Sequence, residues 1–254
     1  MRIIKRRGPF RTIDVFLEDV SFDEVRKLQK EYQCVSILTH APLSGMEGFR
    51  LRQKKTPNIY LSDGPEAVLS RFRDTVRNEV HRTERIDGFE VRVPDPDRDA
   101  PYRVYRDFEF SQGRAPISKE EFSRFICAGA YLDGRFISGI TFFQSNDKIR
   151  IRSIFSLRMD AKGSEDKELY KTVGFASKRL MFDICRYGIE HGAKVVDLAS
   201  INLVDPEKEP IARFKSGFGA LIEDEYQYIW IAPVFRSFSW FAGITSRARV
   251  LLRL

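Results

Sequence analysis

Phe125-Ile-Cys-Ala-Gly-Ala-Tyr-Leu132, Asp133-Gly134, Arg135-Phe-Ile-Ser-Gly-Ile-Thr-Phe-Phe143 is the stretch whose reading decides the fold. Two apolar runs of strand length flank Asp-Gly, a dipeptide that accepts the left-handed backbone of a two-residue hairpin turn. Asn146-Asp147 supplies a second turn, and Lys148-Ile-Arg-Ile-Arg-Ser-Ile-Phe155 alternates apolar and polar residues with the period of a strand. The three runs predict an antiparallel meander.

Downstream, Leu169, Val173, Ala176, Leu180, Ile184 and Tyr187 recur at helical spacing, so a long helix is expected from about Glu168 to His191, closed by Gly192. Ala193-Lys-Val-Val-Asp-Leu-Ala199 then reads as a strand. A polar loop closed by Pro210 leads into Ile211-Ala-Arg-Phe-Lys-Ser-Gly-Phe-Gly219, a short helix with two glycines, and Glu225–Ile231 reads as a final strand. A meander, a long helix, a strand, a short helix and a strand make an α+β protein, a mixed sheet flanked by helices.

Upstream, Thr12–Leu17 alternates like a strand and Phe22–Tyr32 reads as a helix, with a strand at Val35–Leu38. A loop from Ala41 to Asn58 and a short strand, Asn58–Leu61, are expected next. Leu69, Phe72, Val76 and Val80 predict one helix from Pro65 to Ile86, whose other faces carry Arg71, Arg73, Arg77, Arg82 and Arg85 among interleaved acids. Phe89–Val93 is a strand, and Pro94–Pro101 is a charged, proline-rich connector and the expected boundary. A helix around residues 102–112 and a capping box at Ser118 and Glu121 follow.

At 254 residues the chain is long enough for a sizeable core. Its 43 Lys+Arg against 36 Asp+Glu give +7, which favours an anionic partner. The three cysteines are scattered and have no CxxC or His/Cys cluster around them, so a zinc site and a disulfide framework are both unsupported and a cytoplasmic setting is expected. No apolar window is long enough to span a membrane, and the basic start has no signal-peptide apolar segment behind it. Residues 233–254 carry Phe, Trp and Leu with four arginines and no acid; they suit either an interfacial helix on the inner face of an anionic membrane or a terminal helix packed on the domain.

The order of elements is that of the GNAT acyltransferase fold, and three motifs narrow the resemblance. Arg6-Arg-Gly-Pro-Phe10, the Arg77–Val91 segment and Arg213-Phe-Lys-Ser-Gly-Phe-Gly219 resemble, in the same order, three motifs of the Fem-type aminoacyltransferases. That resemblance implies tandem GNAT-like lobes: a truncated one over residues 1–93, a complete one over 94–232, then the basic segment 233–254. It implies transfer of an aminoacyl group from aminoacyl-tRNA to an amine of a peptidoglycan-type cell-envelope precursor, with no tightly bound cofactor, and a functional role for Phe214 and Lys215. Where an acyl-CoA enzyme of this superfamily carries its pyrophosphate loop, Arg158–Lys167 keeps only Arg158 and Gly163 and holds three acids.

Acyl transfer needs a stabilised tetrahedral oxyanion and a deprotonated amine. Lys215 is the candidate for the first, with Arg213, Arg158 and Arg77 for anionic parts of the substrates and Gly217 and Gly219 for a close backbone approach. Asp197 is the candidate base, beside Asp107 and Glu109; its other reading is a loop-capping aspartate. Two further functions fit the same residues. One is an acyl-CoA-dependent N-acyltransferase acting on a sugar or peptide amine, such as a nucleotide-sugar precursor in surface-polysaccharide synthesis. The other is a non-catalytic GNAT-like module that binds RNA or a membrane.

Overall fold

The computed structural model describes residues 1–7, 9–157, 167–202, 205 and 209–233. The chain divides into two compact units, Thr56–Ile222 and Met1–Lys55 with the chain from Glu223 onward. The division differs from a boundary at Pro94: β5 (Phe89–Arg92), just before that proline, pairs antiparallel with β6 (Ile126–Leu132), well after it.

The first unit opens with β1 (Arg2–Arg7) and β2 (Phe10–Phe16), an antiparallel pair. The basic composition of β1 hides it as a strand, although Ile3 is buried in it. Helix α1 (Phe22–Glu31) is capped by the Ser21 hydroxyl, which accepts from the Glu24 N–H. It carries the chain to β3 (Cys34–Thr39), parallel to β2, and β10 (Leu221–Ile231) pairs antiparallel with β3. Ile13, Val15, Val25, Leu28, Val35 and Ile37 form the core of this unit.

In the second unit the strand order is β4 (Arg50–Tyr60), β9 (Val195–Asp197), β8 (Lys148–Ser156), β7 (Arg135–Ser145), β6, β5. All neighbours are antiparallel except β8 and β9. The meander is therefore as its turns dictate: Asp133 and Asn146 both take positive φ, 50° and 53°, a conformation that Asp and Asn tolerate better than most residues. Strand β4 begins eight residues earlier than its apolar run, because its first six residues, Arg50–Lys55, are polar or exposed and read as loop.

Two helical layers cover this sheet. Helices α2 (Gly64–Arg71), α3 (Asp74–Thr83) and α6 (Lys167–Glu190) enclose the larger core with Ile59, Ile140, Ile149, Leu180 and Phe218. On the other face, α4 (Asp99–Ser111) and α5 (Lys119–Phe122) pack Tyr105 and Phe122 against Phe136 and Phe155. The single helix expected over Pro65–Ile86 is two. Phe72 and Arg73 leave helical geometry, with ψ near 147° at both, and Phe72 turns inward to 1% exposure. The apolar spacing survives the break because both helices lie on the same core. Among the described residues no helix is long and apolar enough to cross a membrane.

Candidate active site

The site begins with the shortest strand. β9 pairs with β8 over only three residues, from Lys148 opposite Val195 to Arg150 opposite Asp197. Beyond that register the two strands part. Ile151–Ile154 of β8 form one wall of the opening and Leu198–Ala199 the other, and α7 (Glu209–Ser216) presents Ile211, Phe214 and Lys215 across it. The result is a cleft of about 530 Å³, to which the end of α4 adds Phe108 and the following turn Gln112 and Arg114. A parallel pair that separates at its C-terminal ends is a usual place for a ligand crevice in sheets of this kind.

A β-bulge shapes the β8 wall. Ser153 pairs with Thr141 and Ile151 with Phe142, so Arg152 is an extra residue with no partner across the ladder. The strict alternation expected from Lys148 to Phe155 is thus interrupted: Ile149 and Ile151 face α6, and after the bulge it is Phe155 that packs against α4. Bulges redirect side chains in this way beside many functional sites.

Asp197 ends β9 and is fully buried. Its carboxylate ion-pairs with Arg150, whose side chain is also buried and lies directly opposite in register. It also accepts from the Thr56 hydroxyl at 2.5 Å and from the Ala199 N–H at 2.7 Å. The last bond holds Ala199 at φ 62°, a left-handed conformation that costs a non-glycine residue about 1–2 kcal/mol. Turned this way, the carbonyls of Ala199 and Ser200 both accept from Lys215 Nζ, at 2.9 and 3.0 Å. A chain of contacts therefore runs Arg150–Asp197–Ala199–Lys215, in which the buried Asp197 carboxylate holds the Ala199 turn.

Aromatic packing fixes the other side of Lys215. Phe214 meets Phe218 edge-on at 5.0 Å between centroids; Phe218 meets Phe72 at 5.2 Å, and Phe72 meets Phe182 of α6 at 6.3 Å. Each such pair adds about 0.5–1.5 kcal/mol beyond its buried area, so α7 is held by the core at the residue before Lys215.

The remaining expected site residues separate into those at the cleft and those spent on the fold. Gly217 and Gly219 permit a close approach, but to α2 and α3. A Cβ on Gly219, which has φ +62°, would lie 2.3 Å from the Arg71 carbonyl oxygen, and one on Gly217 would lie 3.0 Å from Val76. The Gly217 carbonyl accepts from the Arg73 N–H. Arg77 fastens the break between α2 and α3: its guanidinium donates to the carbonyls of Ser70 and Phe72 and to Asp74. Arg213 is exposed and pairs with Glu209 one turn away. It lines a second hollow of about 570 Å³ with Arg73 and Lys178, which shares Pro210 and Phe214 with the main cleft. Asp107 pairs with Arg106 and Glu109 with Arg114. Arg158 and its loop, Gly8 of the Arg-Gly-Pro segment and residues 234–254 lie outside the described residues.

Among the described residues that line the cleft there is no carboxylate, while Arg114, Arg152 and Lys215 are all cationic. The arrangement can hold an anionic or strongly dipolar group and stabilise negative charge that develops near α7.

No family model matches the sequence, and no curated protein does either. Solved structures do match in fold. FemX superposes with a TM-score of 0.65 at 12% identity, covering 92% of this chain and 85% of its own. The C-terminal domain of a putative lysylphosphatidylglycerol synthetase from Agrobacterium fabrum gives 0.59 at 14% identity, covering 96% and 84%. L-PGS from Bacillus licheniformis gives 0.57 at 13%, covering 89% and 79%. The chain shares its fold with these three structures.

Proposed function

We propose that this protein is an acyltransferase that moves an aminoacyl group from aminoacyl-tRNA to an amine of a cell-envelope precursor. The observation that carries the reading is the Lys215 ammonium. It is oriented by the Ala199 and Ser200 carbonyls at the wall of a cleft opened where β8 and β9 part. The fold likeness to FemX, to L-PGS and to a putative lysylphosphatidylglycerol synthetase, a name that implies an aminoacylated product, supports a transferase that handles aminoacyl groups.

In this mechanism the donor ester carbonyl lies in the cleft beside Lys215. The acceptor amine attacks the carbonyl carbon, its electrons move onto the carbonyl oxygen, and the lysine charge stabilises the resulting oxyanion. Collapse of the intermediate breaks the ester bond and releases the tRNA 3′-terminal hydroxyl, which takes up a proton. A preorganised charge of this kind is worth about 10²–10³ in rate. With no carboxylate on the described walls, the attacking amine enters neutral and loses its second proton to the leaving oxygen or to water.

A donor comparison tests the reading. Full-length protein is titrated with acetyl-CoA in a calorimeter and, separately, incubated with radiolabelled aminoacyl-tRNAs and Nα-acetyl-lysine or glucosamine as amine acceptors. Transfer from charged tRNA without CoA binding is expected. Saturable CoA binding with acetyl transfer would replace the reading by the acyl-CoA alternative.

A further inference from the structure

The cationic residues around the cleft are not equivalent. Arg114 is committed to Glu109 through two hydrogen bonds of 2.7 Å, and Lys215 is committed to the Ala199 and Ser200 carbonyls. Arg152 differs. It is exposed, it lines the cleft, and among the described residues no carboxylate pairs with it. Its guanidinium has only aromatic company: the face of Phe125 at 5.9 Å, and Tyr105 close enough for its phenol to feel the charge. Both rings are buried, so they support the side chain without neutralising it.

Arg152 is the bulged residue of β8, the one position in that strand that opposes no residue of β7, and it stands on the Phe125 and Tyr105 side of the strand, where it lines the cleft. Between it and Lys215 the lining is mostly apolar: Ile151, Ile154, Leu198, Ile211 and Phe214.

We infer that Arg152 is the anion-recognition residue of this cleft, binding a carboxylate or phosphate oxygen on a substrate whose neighbouring portion is aliphatic. The inference rests on the acyl-transfer reading for what happens at Lys215, but not for the binding itself. A planar guanidinium with open donors suits either oxyanion in a two-point contact, and an apolar surround strengthens that contact by excluding water. Arg152 is a specificity-determining residue in this account and takes no part in the bond changes.

The test uses full-length protein and three probes of equal tail length: hexanoate, pentyl phosphate and hexanamide, each titrated by calorimetry. A charge-assisted hydrogen bond is worth about 1.5–3 kcal/mol, so at least one anion should bind roughly tenfold or more tightly than hexanamide. Which anion binds better tells a carboxylate site from a phosphate site. R152Q should bring that anion to within about twofold of the amide and leave hexanamide binding unchanged, while R152K should keep part of the preference. If neither anion is preferred over hexanamide, or if R152Q retains the preference, the inference is wrong. If the preference disappears in K215A and persists in R152Q, the anion sits on α7 and the inference is equally wrong. Loss of acyl transfer in K215A has no bearing on this comparison, so the two readings fail separately.

Discussion

Replacing Asp197 by asparagine distinguishes an anchor from a general base. The side chain is nearly isosteric, so the amide oxygen can still accept from Thr56 and Ala199, 2.5 and 2.7 Å away in the wild type. What disappears is a negative charge paired with Arg150, whose side chain has 8% exposure against 0% for Asp197. Removing one partner of a buried pair costs about 3–5 kcal/mol, and retention of the neutral hydrogen bonds places D197N near 3. For a unit of this size each kcal/mol lowers Tm by about 2–4 °C, so scanning calorimetry or urea unfolding should show a fall of about 6–12 °C. Replacing both partners with apolar residues, R150M/D197L, should recover much of the loss, since a buried pair and a well-packed apolar pair are often of similar stability. A D197N protein with wild-type Tm, reduced kcat and a lost ionisation in the rate profile would refute the anchor role and restore Asp197 as the base.

Three further outcomes follow from the geometry. Gly219→Ala meets both a left-handed backbone and the Arg71 carbonyl oxygen 2.3 Å from the new Cβ; urea unfolding should show a loss of about 2 kcal/mol or more, and a neutral substitution would mean that α7 does not pack on α2 as described. Burial raises the Asp95 carboxyl above the ordinary aspartate range although it accepts from Tyr131 and from the Asp97 N–H. The native state therefore keeps a proton that the unfolded chain has lost, and the contribution of this group is greatest at low pH and declines as pH rises through the window above the unfolded value. The stability difference between wild type and D95N should accordingly fall as pH rises above the ordinary aspartate value, and parallel curves would contradict the assignment. Cys34, Cys127 and Cys185 are all buried, and burial pushes the Cys127 thiol up to about 12. Ellman's reagent should find no reactive thiol in the native protein and three after denaturation, whereas rapid native labelling would contradict the described cores.

What the sequence made legible was what repeats locally. The Asp-Gly and Asn-Asp turns, the helical spacing from Leu169 to Tyr187 and the short helix before Gly217 all carry their signals within a few residues. What it concealed depends on partners far away. Arg2–Arg7 is a strand because β2 pairs with it, despite four basic residues in six. The break at Phe72 and Arg73 is stabilised by Arg77 and by the turn at Gly217. The ion-pair partner of Asp197 is Arg150, 47 residues earlier, which only the β8–β9 register brings beside it. The bulge did leave a trace: Ile149 and Ile151 are followed by Ile154, a spacing of three where a regular strand requires two. Of the residues expected at the site, Phe214 and Lys215 line the cleft. Gly217 and Gly219 pack against α2 and α3, and Arg77 bonds to the break between those helices, because residue types suited to ligand contact are suited to tight packing and helix ends as well.

The proposed role of Lys215, stabilising the oxyanion of an acyl transfer, is measured by single-turnover transfer from aminoacyl-tRNA to an amine acceptor. Lys215→Ala should lower the rate constant by about 10²–10³ while donor affinity changes by no more than about threefold. A Lys215→Ala protein that transfers at the wild-type rate would contradict it.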